Sequence, residues 1–158
     1  MKKFLYTAFM LLAIGVTFVA CSEDEETGFN PSNEDTQALV QGTYEGEWMR
    51  VLDTDTLRGT GTITLTPTDS AYCVDVTIKS AELSLDATSV ANIAQEGSHG
   101  FVFYNMSTSN GLGANNFRGY IRYDEEGNKV ASINFVKNVR VGRKSYEYAH
   151  SFSGNLVE

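Results

Sequence analysis

Basic residues are scarce in this sequence: Lys and Arg number 12 against 20 Asp and Glu, for a formal charge of −8. Gripping nucleic acid without regard to sequence requires cations that neutralise phosphates, so nucleic acid is excluded as a partner. Proline is nearly absent, at 2 residues in 158 beside 14 glycines, and this length and composition fit one globular domain rather than a multidomain machine. Histidine occurs only at His99 and His150. Neither belongs to a HExxH motif or a carboxylate–histidine spacing, so no metal and no cofactor are expected. There is no Gly-x-Ser-x-Gly elbow, and Gly59-Thr60-Gly61 and Gly111-Leu112-Gly113 lack the strand–helix context of a phosphate-cradling loop. Nothing in the residues names a reaction, and the expectation is a protein that is not an enzyme.

What is present begins with an address. Lys2 and Lys3 precede an apolar run over residues 4–20 that ends in small residues before Cys21. A membrane-spanning helix wants roughly 20 apolar residues and a basic flank after them; this run is shorter and lacks the flank, so it reads as a signal peptide. Phe18-Val19-Ala20-Cys21 resembles a bacterial lipobox, in which the cut falls before a cysteine already carrying a diacylglyceryl group. The resemblance implies lipidation of Cys21. Each buried methylene adds about 0.8 kcal/mol to membrane partition, so two or three acyl chains such as palmitate anchor a protein almost permanently. With Cys21 committed to lipid, Cys73 has no intramolecular disulfide partner.

Residues 21–37 carry six acids, no base and little to bury, which predicts a disordered tether. The run Glu23-Asp24-Glu25-Glu26 is similar to the export signal of surface-exposed lipoproteins of the phylum Bacteroidota. That resemblance implies an outer-membrane lipoprotein displayed at the cell surface, with a periplasm-facing lipoprotein as the alternative.

From residue 38 to residue 158 the chain alternates apolar with polar residues and is broken by turn chemistry, the pattern of an all-β domain. The first strand runs from about Gly42 to Leu52, and Ile63 and Leu65 alternate with Thr62, Thr64 and Thr66 in the second. Tyr72, Val74, Val76 and Ile78 form the inward row of a third strand, opposite Cys73, Asp75, Thr77 and Lys79. Segment 83–93 fits a short strand or a helical turn equally well. Phe117, Gly119, Ile121 and Tyr123 lead to a Gly-containing hairpin over 124–128, after which Ala131, Ile133 and Phe135 point inward. The last strand places Tyr146, Tyr148, His150, Phe152, Gly154 and Leu156 on one face. Roughly eight antiparallel strands at this spacing predict an up-and-down barrel, with a β-sandwich as the alternative; a barrel is favoured because closure removes exposed edges.

Val40-Gln41-Gly42-Thr43-Tyr44-Glu45-Gly46, Gly61-Thr62-Ile63-Thr64-Leu65-Thr66 and Phe152-Ser153-Gly154-Asn155-Leu156 together resemble the calycin-like, lipocalin-like β-barrel lipoproteins of Bacteroidota. The resemblance covers about residues 40–157. It implies a small barrel able to hold an apolar ligand and no catalytic residues.

Two clusters carry the functional expectations. First and last strands pair when a barrel closes, so Tyr44, Trp48, Tyr146, Tyr148, His150 and Phe152 are candidates for the wall of an apolar pocket; plain core packing is the competing reading. Lys137, Arg140, Arg143 and Lys144 surround Gly142 and form a candidate patch for anionic lipid, lipopolysaccharide or an acidic partner, against the reading of a solvated hairpin tip. Glu45 and Glu47 have the spacing of a carboxylate pair, but they alternate with Tyr44 and Trp48 and so face solvent. His150 with Tyr146 or Glu147 is the candidate for a hydrolase. Asp55-Thr56-Leu57 and Asp69-Ser70-Ala71 resemble Bacteroidota O-glycosylation acceptors. The leading expectation is therefore a lipid-anchored, non-enzymatic binding module for a small apolar ligand or lipid. A structural or interaction subunit of a surface complex is the first alternative, and a hydrolase acting on lipid or glycan the second.

Overall fold

The computed structural model describes residues 33–97 and 100–157; the apolar run over residues 4–20, Cys21 and His99 lie outside the described residues. A short helix, α1 (Asn33–Val40), precedes β1 (Gly42–Leu52), β2 (Asp55–Pro67), β3 (Cys73–Ser80), β4 (Leu85–Glu96), β5 (Gly100–Asn105), β6 (Phe117–Tyr123), β7 (Lys129–Val141) and β8 (Lys144–Val157). Each strand pairs antiparallel with the next, and β8 returns to β1, so the sheet closes into a barrel. The closing ladder runs from Thr43 opposite Val157 to Val51 opposite Ala149. Closure of the ring leaves no strand edge unpaired.

Alternation explains why these segments become strands. In β3, Val74, Val76, Ile78 and Ser80 are buried while Cys73, Asp75, Thr77 and Lys79 are more exposed. Segment 83–93 takes the strand option for most of its length: in β4, Leu85, Ser89, Ala91 and Ile93 are buried between exposed neighbours. Tyr72, expected at the head of the inward row of β3, instead precedes the strand and is 60% exposed. The Cys73 amide donates to the Ser70 carbonyl and the Ile93 amide to the Tyr72 carbonyl, which holds this residue in the turn.

Part of the segment expected as a disordered tether, residues 33–37, is instead helical, within Asn33–Val40; residues 21–32 lie outside the described residues. Thr36 and Gln37 are buried. The Gln37 amide nitrogen donates to the carbonyls of Cys73 at 2.6 Å, Ser70 at 2.7 Å and Thr68 at 3.2 Å, tying α1 to the β2–β3 turn. Val40 joins the core, and its carbonyl accepts the buried Tyr44 hydroxyl at 2.9 Å. Burial pushes the Tyr44 hydroxyl far above its ordinary pKa, with Tyr123 adding to the shift. Lys129, at the start of β7, donates to the Leu39 carbonyl at 2.7 Å. The helix thus seals one pole of the barrel.

An up-and-down order puts the β1–β2, β3–β4, β5–β6 and β7–β8 connections at the opposite pole. There the β5–β6 loop lays Leu112 and Ala114 into the core. The Asn110 amide holds the loop's shape, with Nδ2 donating to the Ser107 and Ala114 carbonyls and Oδ1 accepting from the Leu112 and Ala114 amides. Gly111 N–H donates to the Ser89 hydroxyl, and Asn115 N–H donates to the Val136 carbonyl; the loop therefore reaches from β4 to β7.

Between these ends the interior is taken up by rings seated on glycines. A Cβ at Gly61 would fall 2.8 Å from Trp48 Cδ1, one at Gly154 would lie 2.5 Å from Phe152 Cζ, and one at Gly119 would overlap the Phe103 ring. Tyr44, Trp48, Phe103, Phe117 and Phe152 are at most 3% exposed. Large beside small is how a narrow barrel reaches the density of a protein interior. Replacing Gly119 with Val should therefore cost about 3 kcal/mol or prevent folding, because the Phe103 ring and the Ser132 carbonyl oxygen occupy the space. Denaturant unfolding of Gly119→Val against the parent chain measures this, and an unchanged midpoint would mean that the lumen has room to spare.

Candidate functional site: an aromatic and cationic rim

β8 is the longest element, at 14 residues, and together with the 13-residue β7 it outruns the strands on either side of the pair. The pairing of β6 with β7 ends at Phe117 opposite Phe135, and that of β1 with β8 ends at Val51 opposite Ala149. Beyond those rows β7 and β8 pair only with each other, from Lys137 opposite Tyr148 to Val141 opposite Lys144. The result is a two-stranded arm rising from the pole opposite α1. Its tip holds Gly142 at φ +64°, a left-handed conformation that glycine reaches without steric cost.

Strand alternation sorts the expected site residues. Tyr44, Trp48 and Phe152 belong to the packed core. Trp48 lies opposite Phe152 across the closing ladder, with ring centroids 4.9 Å apart, and meets Phe135 edge-on at 6.1 Å. Phe135 in turn stacks on His150 at 4.8 Å with an interplanar angle of 9°. These four rings form a column from the barrel interior to its rim. The Trp48 indole nitrogen is fully buried and has no hydrogen-bond partner. Tyr148 and Tyr146 follow His150 on the same face, half-buried on the arm.

The four bases do not converge. Lys137 and Lys144 share the inner face of the arm with Val139, Val141, Tyr146 and Tyr148, Arg140 alternates to the outer face, and Arg143 sits at the turn. Arg50 of β1, which was not among the expected residues, belongs with the inner set. It lies opposite His150 in the closing ladder, and its guanidinium carbon stands 5.2 Å from the Tyr148 ring centroid. The signal was available, since Arg50 has the same parity along β1 as Tyr44 and Trp48. Lys137 Nζ lies 6.0 Å from the Phe135 ring centroid. Cations held over ring faces at these distances are attracted by the ring quadrupole.

His150 is 5% exposed, and its Nδ1 lies 3.1 Å from the Tyr148 carbonyl oxygen. A carbonyl only accepts, so Nδ1 carries the proton and donates. Burial lowers the imidazole pKa to about 4; the Tyr148 carbonyl works against that shift, and the positive charges of Lys137 and Arg50 add to it. Burial also lowers the Lys137 ammonium pKa. The hydrolase candidates fall apart here. Glu147 faces the outer side of the arm opposite Asn138, and Tyr146 sits further along the arm from His150.

Elsewhere the expected groups are surface features. Glu45 and Glu47 flank an open groove of about 610 Å³ with Thr60 and Thr62 on the outer wall, and Glu47 pairs with Arg58 at 3.0 Å in solvent. Cys73 is a partly exposed thiol 3.8 Å from the Asn92 side-chain oxygen. Among the described residues no group of three His, Cys, Asp or Glu side chains is placed to hold a metal ion, and no helix is long and apolar enough to cross a membrane. Comparison with protein-family models and with curated proteins finds no match for this chain.

The imidazole makes stability depend on pH. In the unfolded chain it takes up a proton near pH 6.5, whereas the folded protein resists until about pH 4. Its contribution is therefore intact above pH 6.5 and is lost as pH falls from 6.5 to 4. His150→Phe should keep the stack on Phe135 and remove about 2 kcal/mol of that loss. Urea unfolding of both chains across this range tests the assignment; parallel curves would contradict it.

Proposed function

We propose that this protein is a lipid-anchored, non-enzymatic binding module of the outer membrane, a calycin-like barrel tethered through Cys21 that engages its partner at the rim formed by β1, β7 and β8. The observation that carries the reading is the opposition of two ends. α1, which follows the acidic tether, caps one pole, and the β7–β8 arm rises from the other. A chain held to a membrane by residues before α1 presents that arm to its surroundings.

The packed lumen shifts the weight between the two binding readings. An apolar ligand buried beside Trp48 would have to displace Phe135 or Phe152, whose rings already fill that space. The half-buried Tyr146 and Tyr148, with Lys137 and Lys144, offer their contacts at the rim instead. This favours recognition on the surface over enclosure. Cell-surface display is part of the proposal, supported by the run Glu23-Asp24-Glu25-Glu26 after the cysteine.

The test is metabolic labelling with radioactive palmitate in the native host, combined with a membrane-impermeant amine reagent on intact cells. The reading predicts label in the parent chain, none in Cys21→Ala, and modification of Lys144 on unbroken cells. A parent chain without label would contradict the anchor. Modification of Lys144 only after lysis would contradict surface display.

A further inference from the structure

From the inner face of the rim we infer a binding site for organic carboxylates, with Arg50 and Lys137 holding the carboxylate and Tyr148, Tyr146 and Val139 receiving the apolar body of the ligand. The inference deepens the proposed binding role and rests on the rim being the working face; it does not depend on the lipid anchor.

Three observations meet at this place. The first is charge. In a chain of net charge −8, the register brings two cations to either side of β8: Arg50 opposes His150 across one ladder, and Lys137 opposes Tyr148 across the other. Adjacent strands lie about 4.8 Å apart, so their backbones are separated by roughly 10 Å, a span two long side chains can close around one small anion. The ion pairs formed among the described residues are Glu47 with Arg58 and Glu96 with Arg118 and Arg122; neither Arg50 nor Lys137 has a carboxylate. Asp55, at the tip of the β1–β2 turn opposite Leu52, pairs with neither.

The second is preorganisation. Arg50 rests on the Tyr148 ring and Lys137 over the Phe135 ring. Rings rather than counter-charges orient both cations, which leaves their hydrogen-bond donors free for a ligand. Burial partly desolvates Lys137 there and lowers its pKa. A guanidinium matches a carboxylate through two parallel hydrogen bonds. Between the two cations His150 stays neutral, with both positive charges acting on it.

The third is apolar exposure on the inner face of the arm and the strand beside it. Val139 and Val141 are 40% and 61% exposed on the inner face of the arm, and Leu57, opposite Arg50, is 40% exposed. With Tyr146 and Tyr148 they make a surface that favours a flat or apolar body behind the charged head.

The probe is 2-naphthoate, with uncharged 2-naphthamide as its match in shape. Binding is measured by titration calorimetry on the full-length chain reconstituted in lipid nanodiscs, with empty nanodiscs as the blank. The expected result is saturable binding of naphthoate and at least tenfold weaker binding of the amide. Arg50→Gln should raise Kd about tenfold, in the range of one lost charge-assisted pair. Lys137→Met, which keeps the stem that packs on Phe135, should raise it severalfold. Arg140→Gln, on the outer face of the same arm, should change it less than twofold. Circular dichroism of each variant establishes that the barrel is retained, and the Lys137 variant carries the test if Arg50→Gln does not fold. The inference is overturned by absence of naphthoate binding above the blank, by equal binding of the amide, or by equal losses from Arg140→Gln and Lys137→Met. Such an outcome would leave the anchor, which palmitate incorporation tests separately, untouched.

Discussion

An eight-stranded barrel encloses a lumen about as wide as the side chains that fill it, and here aromatic rings lying on glycines take up that width. Trp48 over Gly61, Phe103 over Gly119 and Phe152 over Gly154 place the largest side chains against positions with no side chain of their own. The pairing of β1 with β8 makes this possible, since it sets Trp48 opposite Phe152 and Arg50 opposite His150. Much of the rest follows from that row of contacts. A full lumen is why the proposed recognition is placed at the rim, and the rim takes its groups from the same alternation further along β1, β7 and β8.

The two ends of the barrel are closed by different means. Hydrogen bonds from Gln37 and Lys129 and the core residue Val40 lock α1 to its pole. The β5–β6 loop closes part of the other pole through Asn110, Leu112 and Ala114. It leaves the β7–β8 arm without ladder pairing to β6 or β1. The neutral His150 marks the boundary between the dry column of rings and this charged rim.

Strands were legible in the sequence because a sheet with one wet face must alternate, and their number and antiparallel order followed from the turn residues between them. Helix α1 was not, since its acids suggested a solvated tether; its order comes from the buried Thr36 and Gln37 and from contacts with residues distant in the chain. Alternation placed Tyr146, Tyr148 and His150 on the face they occupy. It could not show that Phe135 would stack on His150, because that contact joins two strands through their register. Nor did proximity in sequence predict the fate of the four bases: on a two-stranded arm, adjacent positions point to opposite faces, so Lys137 and Lys144 part from Arg140. Arg50 was hidden by its type, a charged residue at a position whose parity reads as interior.

The account depends on a lumen closed to solvent and ligand around Trp48, the sole tryptophan of the chain. Collisional quenching of its fluorescence by iodide and acrylamide under native conditions tests that directly. The account predicts blue-shifted emission that neither quencher reduces until the barrel unfolds. Red-shifted emission, or ready quenching in the folded protein, would contradict it and return the binding site to the interior.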